Sequence, residues 1–390
     1  MTFSFENKIE RRNTRAAKWD LIKTLYGADD VLPMWVADMD FEVPPAVKDA
    51  LVKRAQHGVF GYTITDSALD QTVSNWLAER HDWQIKKQDI MYSPGVITTL
   101  QMAMQTFTEK GDKVLIQTPV YPPFYDIVEK HERTLVKNQL RLNNQHYEID
   151  FDDFEKQLKQ GVKAFILCNP HNPVGRVWTK EELTKMVNLC KQYHVMIFSD
   201  EIHADLVFSP NKHIPTATVD NDMQGNIITC MSPTKTFNLA GLQASFVIVS
   251  DKQKRTELEK MFHKQGANHI NTMGVTALDA AYTNGSEWLD QLLVQLQTNI
   301  DHVIEAFQER SDVNVFQPEG TYLIWFDFRS LQLDQDQLKD FLQKEAKVGL
   351  NDGASFGEEG NGFMRMNVAC PLSVVQEGTS RIIYALEARK

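Results

Sequence analysis

Short runs of consecutive apolar residues constrain the fold of this chain more than any other feature. Five such runs, rich in β-branched residues, lie at residues 113–117, 164–168, 195–199, 226–230 and 245–249. Strands that are buried on both faces have this pattern. Helix-like segments separate the runs, and one of them opens with Thr179-Lys-Glu-Glu182, a capping-box sequence that predicts a helix start. This alternation predicts a mostly parallel sheet covered by helices.

The pattern changes after about residue 275. From there the chain alternates helical and strand-like segments, at residues 287–310, 321–327, 334–345 and 362–368. This order predicts a smaller α+β domain at residues 281–390 beside a large domain at residues 46–280. We expect residues 1–45 to form a segment that packs with the small domain and with a partner subunit.

The composition excludes several classes of function. Lys and Arg number 41 against 52 Asp and Glu, so the net charge is −11. A general nucleic-acid-binding protein needs a basic face, which this balance does not favour. No apolar run reaches the roughly 18 residues of a membrane helix. The first 20 residues are charged and lack the apolar region of a signal peptide.

The cysteines and histidines show no metal-binding spacing. Four cysteines lie far apart, at Cys168, Cys190, Cys230 and Cys370, and we expect buried free thiols rather than zinc ligands or disulfides. The histidines show no paired-ligand spacing either, so no metal is expected. Free thiols are typical of a reducing compartment, which predicts a cytoplasmic location.

Chemically useful side chains follow four of the predicted strands, each at the point where the strand ends. They are Tyr121, Asn172, Asp200 and Lys235. Each is weak evidence by itself, because Asn-Pro is a common turn and an aspartate after a strand commonly caps a helix. Ligands in open α/β sheets bind beyond the carboxyl ends of the strands. Four such residues at one edge therefore indicate a binding site.

Together these side chains match the needs of pyridoxal phosphate (PLP). PLP needs a lysine for its aldehyde, an anion at its pyridine nitrogen, a hydrogen-bond donor for its ring oxygen and an aromatic face, which Lys235, Asp200, Asn172 and Tyr121 would supply. Its phosphate needs backbone amides at a helix N-terminus. The segment Ser93-Pro-Gly-Val-Ile-Thr98 precedes an amphipathic stretch and predicts such a terminus.

The residues at this edge belong to longer motifs that run in one order from about residue 30 to the end of the chain. The motifs are Trp35-Val-Ala-Asp-Met-Asp40, His57-Gly-Val-Phe-Gly-Tyr62, Thr118-Pro-Val-Tyr121, Asn169-Pro-His-Asn-Pro-Val-Gly175, Ser199-Asp-Glu-Ile-His203, Ser232-Pro-Thr-Lys-Thr-Phe-Asn238 and Phe363-Met-Arg-Met-Asn367. In this order they resemble fold-type I PLP enzymes of the class I/II aminotransferase superfamily. Within it the chain is similar to the MalY/PatB branch of cystathionine β-lyases, or C–S lyases.

The resemblance implies an aspartate-aminotransferase-like α/β fold. The large domain would carry a mostly parallel seven-stranded sheet flanked by helices, and the C-terminal domain would be the smaller α+β unit. It also implies a homodimer with shared active sites and a small amino-acid substrate.

The resemblance also implies a role for each site residue. Lys235, Asp200 and Tyr121 would be the catalytic residues, with Asn172 and His203 beside the cofactor ring. The phosphate would be held by Gly95, Val96, Ile97, Ser232, Thr234 and the partner subunit's Tyr62. Arg365 would bind the substrate carboxylate as a bidentate fork, near Trp35, Ala37 and Asn172.

Departures from the aminotransferase pattern bear on the reaction. His203 stands where aminotransferases usually carry a tyrosine, and the β-lyase branch commonly has histidine there. Gln243 stands where aminotransferases often carry a phosphate-binding arginine, eight residues after Lys235, so the phosphate would depend more on backbone amides. Leu372 stands where the β-lyase branch often has arginine, which does not help the assignment.

The resemblance therefore implies α,β-elimination of L-cystathionine, with cysteine and cystine as further candidate substrates, to a thiol, pyruvate and ammonia. Two alternatives stay open. A class I/II aminotransferase shares every step up to the loss of the Cα proton, and fold alone does not decide between the two reactions. A regulatory protein-binding role alongside lyase activity is the second alternative, although the sequence identifies no interface for it.

Overall fold

Two β-sheets organise the protein, whose computed structural model describes residues 3–389. The strands are β1 (Leu32–Pro33), β2 (Ile90–Ser93), β3 (Lys113–Thr118), β4 (Thr134–Gln139), β5 (Arg141–Asn143), β6 (His146–Glu148), β7 (Val162–Cys168), β8 (Met196–Asp200), β9 (Ile227–Met231), β10 (Ser245–Ile248), β11 (Asn314–Phe316), β12 (Leu323–Asp327), β13 (Val348–Gly349), β14 (Asn351–Asp352) and β15 (Phe363–Asn367).

The helices fall between these strands and at both ends of the chain. They are α1 (Ala17–Asp20), α2 (Ile22–Tyr26), α3 (Pro45–His57), α4 (Ser67–His81), α5 (Val96–Phe107), α6 (Pro123–Lys130), α7 (Phe151–Leu158), α8 (Lys180–Gln192), α9 (Pro233–Thr236), α10 (Lys252–Gln265), α11 (Thr272–Asn284), α12 (Ser286–Phe307), α13 (Gln335–Asp340) and α14 (Leu372–Ala388). Within residues 3–389, no helix combines the length and the apolar character needed to cross a membrane.

The large sheet has seven strands in the order β2-β10-β9-β8-β7-β3-β4. Strand β10 runs antiparallel to both of its neighbours, and the other six strands point in one direction. The predicted α/β class, with a mostly parallel seven-stranded sheet flanked by helices, is confirmed. The five predicted apolar runs correspond to β3, β7, β8, β9 and β10.

Burial on both faces explains why these runs are apolar at consecutive positions. In β7, Ala164 and Ile166 belong to a core cluster with side chains of α5, α6 and α10. The intervening Phe165 and Leu167 belong to a second cluster, with side chains of α4, α7 and α8. Successive side chains of a strand point to opposite faces, so a strand covered on both sides needs an apolar residue at every position.

The predicted start of helix α8 is also confirmed. The Thr179 hydroxyl accepts a hydrogen bond from the Glu182 N–H at 3.2 Å, and the Glu182 carboxylate accepts one from the Thr179 N–H at 2.8 Å. This reciprocal pair satisfies two amides that the helix itself leaves unpaired.

The smaller sheet lies in the C-terminal part of the chain. Its strands have the order β11-β12-β15-β14, and all of its pairs are antiparallel. The N-terminal segment reaches this part, because β1 pairs with β13 in parallel. The boundaries proposed at residues 45/46 and 280/281 stay predictions. All four cysteines are buried and free, as the sequence predicts.

Candidate active site

A cavity of about 400 Å³ lies at the carboxyl ends of the adjacent strands β3, β7, β8 and β9. All four side chains selected from the sequence line it: Tyr121, Asn172, Asp200 and Lys235. The turns that follow neighbouring parallel strands meet at one edge of a sheet, so residues more than a hundred positions apart share one cavity.

Lys235 lies on the short helix α9 that follows β9. Its Nζ donates a hydrogen bond to the carbonyl oxygen of Ala37 at 2.7 Å. Burial, with the nearby positive charge of Arg365, lowers the pKa of Lys235 to about 8, although the carboxylates of Asp38 and Asp200 oppose the shift. Part of the amine is therefore unprotonated near neutral pH, which suits a nucleophile or a general base.

Asp200 is the last residue of β8 and is buried. One of its oxygens accepts a hydrogen bond from the Ile202 N–H at 3.1 Å. Burial, with a smaller contribution from the neighbouring Glu201, raises the pKa of Asp200 to about 7, against the opposing effects of Ile202 and Lys235. The carboxylate is thus poorly compensated by the surrounding protein and suited to a ligand that brings a positive N–H group.

This raised pKa predicts how the cofactor-free protein responds to pH. A carboxyl group with a raised pKa in the folded state destabilises the fold above its unfolded pKa, and the full penalty applies above pH 7. Relative to Asp200→Asn, we expect the free energy of unfolding of the parent protein to fall by about 3 kcal/mol between pH 5 and pH 8.

Urea unfolding of both proteins at the two pH values measures this difference. The Asp200→Asn variant keeps an acceptor for the Ile202 N–H. It is the control for the parent protein, because the two proteins have all other titrating groups in common. Equal pH dependence of the two proteins would contradict the raised pKa. A ligand that places a cation beside Asp200 should reduce the difference.

Arg365 is a buried cation whose hydrogen-bond acceptors are neutral oxygens. It lies on β15, where it is 3% exposed. Its guanidinium donates to Asn172 Oδ1 at 2.8 Å, to the Trp35 carbonyl at 3.1 Å and to Asn351 Oδ1 at 3.4 Å. Its Nε has no hydrogen-bond partner among residues 3–389. Burial lowers the pKa of Arg365 to about 10. Such a group is suited to a carboxylate ligand, which offers two acceptor oxygens and a compensating charge.

The N-terminus of α5 forms another wall of the cavity. Gly95, Val96, Ile97 and Thr98 line it, and no side chain within the described residues 3–389 caps this helix. A Cβ on Gly95 would meet only Thr98 Oγ1, at 3.9 Å, so it would project into the cavity. The free amides of a first helical turn attract anions.

Ser232, Thr234 and Gln243 also line the cavity. The Ser232 hydroxyl accepts a hydrogen bond from the Thr234 N–H at 3.1 Å and donates one to the Ala244 carbonyl at 2.7 Å. The Ser232 and Thr234 hydroxyls are also hydrogen-bonded to each other at 2.6 Å, so both are held at the cavity wall.

His203 and Ala37 line the cavity as well. Burial, reinforced by Lys235 and Arg365, lowers the pKa of His203 to about 3, so the imidazole is neutral near neutral pH. Its Nδ1 is buried and unpartnered among residues 3–389. A neutral imidazole of this kind can serve as donor or acceptor to a ligand.

Two of the predicted residues lie outside the cavity wall. The Trp35 indole donates to the Lys18 carbonyl at 3.2 Å, and only the Trp35 backbone carbonyl reaches Arg365. Tyr62 is exposed and lies apart from the cavity of its own chain. Its role in a partner subunit's site stays a prediction.

Sequence reasoning missed Tyr322 and Asn351. Tyr322 is fully buried and donates to the Ala37 carbonyl at 3.1 Å, whereas Asn351 lines the cavity beside Arg365. Tyr322 stands in an apolar strand segment, so its pattern is that of an ordinary core aromatic residue. No group of three or more His, Cys, Asp or Glu suited to a metal ion occurs within residues 3–389.

This combination of fold and site defines a known class of proteins. The family model "Aminotransferase class I and II" matches residues 29–382. The chain therefore belongs to the class I and II aminotransferase family, as its motifs predict.

Similar proteins place the chain in one branch of this family. Cystathionine beta-lyase PatB of Bacillus subtilis (strain 168) is 44% identical over 386 residues, covering 98% of this chain and 100% of that protein. A PLP-bound C–S lyase of Staphylococcus hominis superposes with a TM-score of 0.92 at 32% identity, covering 99% of this chain and 98% of that one. A PLP-bound protein of Clostridium difficile 630 that carries a provisional aminotransferase name has a TM-score of 0.97 at 42% identity, covering 99% and 100%. The predicted relationship to the MalY/PatB branch is confirmed.

Proposed function

We propose that this chain is a PLP-dependent carbon–sulfur β-lyase. It converts L-cystathionine, and related substrates such as cysteine and cystine, to a thiol, pyruvate and ammonia by α,β-elimination. One observation carries the proposal: a single cavity brings together Lys235, Asp200 and Arg365, each lacking a strong counter-charge. This reaction requires three groups: a lysine that binds the cofactor aldehyde, an anion beside the pyridinium nitrogen, and a guanidinium that binds the substrate carboxylate.

The residues present fit the cofactor. Lys235 would be the group for covalent attachment, Asp200 would pair with the pyridine nitrogen, and Asn172 and His203 would serve the ring oxygen. Tyr121 would cover the ring, which is supported by its position in the wall of the cavity. The first amides of α5, with Ser232 and Thr234, would hold the phosphate. The space that a Cβ on Gly95 would fill supports this last assignment.

When bound, PLP supplies an electron sink for negative charge at the substrate Cα. Arg365 binds the substrate α-carboxylate through two parallel N–H donors and so orients Cα toward Lys235. Lys235 removes the Cα proton at Nζ, and its lowered pKa supplies the unprotonated amine. Asp200 keeps a proton on the pyridine nitrogen. The Cβ–S bond then breaks as a double bond forms between Cα and Cβ, and the thiolate leaves with the Cβ–S electron pair. Water hydrolyses the released aminoacrylate to pyruvate and ammonia.

Elimination rather than transamination is supported by His203 and by the similar proteins. His203 stands where aminotransferases usually carry a tyrosine, and it is neutral in the cavity wall. PatB and the Staphylococcus hominis protein are both named as lyases. Transamination is the alternative within the same family, and the regulatory protein-binding role has no supporting contact within residues 3–389.

We also propose that the protein acts as a homodimer in the cytoplasm. A segment with exposed apolar side chains at Val59, Phe60, Tyr62 and Ile64 supports a contact with a second copy. The partner subunit's Tyr62 then completes the phosphate site. The four free cysteines support a reducing compartment.

Release of pyruvate and free thiol from L-cystathionine, without any added 2-oxo acid, tests the reaction. We expect both products to appear continuously and in equal amounts, because elimination regenerates the enzyme in each turnover. Turnover only in the presence of a 2-oxo acid would instead assign the protein as an aminotransferase.

A further inference from the structure

A strap of residues 35–41 runs past the active-site cavity, and its Val36 and Ala37 form part of the cavity wall beside Lys235. Its first carbonyls are fixed by side chains of β15. The Trp35 carbonyl accepts from Arg365 at 3.1 Å. The amide of Asn367 donates to the Val36 and Asp38 carbonyls, both at 2.6 Å. The carbonyls on either side of Ala37 are therefore held in place from outside the strap.

The far end of the strap is fixed just as firmly. The Asn238 side chain donates to the Met39 and Phe41 carbonyls, both at 3.0 Å, and accepts from the Met39 N–H at 3.0 Å. The buried ammonium of Lys18 pairs with Asp40 at 2.7 Å. Burial alone would raise the pKa of Asp40, but Lys18 and the other donors outweigh it and lower that pKa.

The Ala37 carbonyl, between these fixed points, accepts two hydrogen bonds. Lys235 Nζ donates at 2.7 Å and the Tyr322 hydroxyl at 3.1 Å. Burial raises the pKa of Tyr322, so the hydroxyl stays protonated and remains a donor. The neighbouring carbonyls are held by hydrogen bonds to side chains of β15, so they do not shift when the Lys235 side chain moves. The Ala37 oxygen is therefore an acceptor with a preset position.

We propose that the Ala37 carbonyl is the docking point for the free amine of Lys235, and that Tyr322 is the positioning residue that holds this carbonyl. The proposal rests on the proposed function, in which the free amine of Lys235 removes the Cα proton of the substrate. One N–H of the free amine binds the Ala37 oxygen, which leaves the nitrogen lone pair directed to the cavity.

The Cα–H bond breaks, and its proton forms a new N–H bond at Lys235 Nζ. The electron pair of the Cα–H bond becomes the second bond between Cα and Cβ, and the thiolate departs with the Cβ–S pair. Tyr322 touches neither substrate nor proton and acts only through the Ala37 carbonyl.

Tyr322→Phe tests the proposal, because it removes one hydroxyl and keeps the buried ring. The groups that face Lys235 are Arg365, Asp38, Asp200, Tyr121, His203 and Tyr322. Of these, only Tyr322 changes in the variant, and it acts on Lys235 through the Ala37 carbonyl that both side chains share. Without the competing hydroxyl, the Ala37 oxygen accepts more strongly from the Lys235 ammonium. We therefore expect the pKa of Lys235 to rise.

Competitive acylation of the cofactor-free full chain, read at Lys235 by mass spectrometry as a function of pH, measures this pKa directly. We expect Tyr322→Phe to raise it by about half a unit, or about threefold in the protonation equilibrium. Tyr125→Phe is the matched control, because the Tyr125 hydroxyl also donates to a backbone carbonyl, that of Phe356 at 2.8 Å, but outside this cavity. We expect no change in the control.

The PLP-loaded enzyme provides the second readout. We expect Tyr322→Phe to lower kcat on L-cystathionine by about fivefold, as for the loss of one hydrogen bond, while KM stays within about twofold because Arg365 is untouched. The acid limb of the kcat profile should move to higher pH with the pKa of Lys235.

The outcomes separate the two proposals. If Tyr322→Phe behaves like Tyr125→Phe in both measurements, the docking role of Ala37 and Tyr322 is overturned. If the labelling shift occurs but the parent protein releases no pyruvate, the docking point stands and the lyase assignment fails.

Discussion

Lys235→Ala is expected to abolish two properties together: continuous pyruvate release and the visible absorbance of the lysine-bound cofactor. Alanine removes both the amine that attaches to the aldehyde and the base that takes the Cα proton. Loss of a nucleophile and general base lowers turnover by about three orders of magnitude. The absorbance spectrum of the purified protein and a pyruvate assay measure the two effects separately.

An exposed lysine provides the control. Lys252→Ala, at the start of α10 on the surface, removes the same amine outside the cavity and should change neither property. A covalent cofactor signature that persists in Lys235→Ala would show that another residue carries the cofactor. That result would overturn the assignment of the site.

Arg365→Lys is expected to lower kcat/KM for L-cystathionine by about 100-fold, mainly through KM. The charge is retained, but lysine cannot present two parallel donors to a carboxylate. The buried guanidinium also holds the Asn172 side chain and the Trp35 carbonyl, so its loss disturbs the cofactor side and the strap as well. A 100-fold change corresponds to about 3 kcal/mol in transition-state binding.

Arg329→Lys is a closely matched control for that change. The Arg329 guanidinium lies over the Phe363 ring at 4.7 Å, much as that of Arg365 lies over Phe356 at 4.8 Å. Arg329 pairs with Asp327 instead of facing the cavity. We expect its substitution to leave kcat/KM within about twofold. Equal effects of the two substitutions would contradict the role of Arg365 in carboxylate binding.

The sequence predicts the interior of the large sheet well and its edges poorly. All five predicted runs are strands, because a strand covered on both faces must be apolar at every position. The sequence does not predict the edge strand β4, because only two of its six residues, Leu135 and Val136, are apolar, and part of this edge strand meets solvent. The opposite edge strand, β2, is short and was also missed.

The sequence likewise predicts some residues of the candidate site and not others. The four residues at the strand ends follow local signals, because each stands within five residues of the end of an apolar run. Tyr322 and the strap carbonyls carry no comparable signal. A buried tyrosine in a strand looks like any core aromatic residue, and a backbone carbonyl has no sequence signature at all.

The sequence alone predicts the five inner strands of the large sheet, the start of α8 and the site residues that follow the strands. Each of these features depends on residues that lie only a few positions apart. Only the tertiary structure decided that Ala37 meets Lys235 across 198 positions and that Arg365 meets Asn172 across 193. Those contacts depend on how the N-terminal segment and the smaller sheet pack against the large one. That packing depends on the sum of many weak contacts rather than on any local pattern.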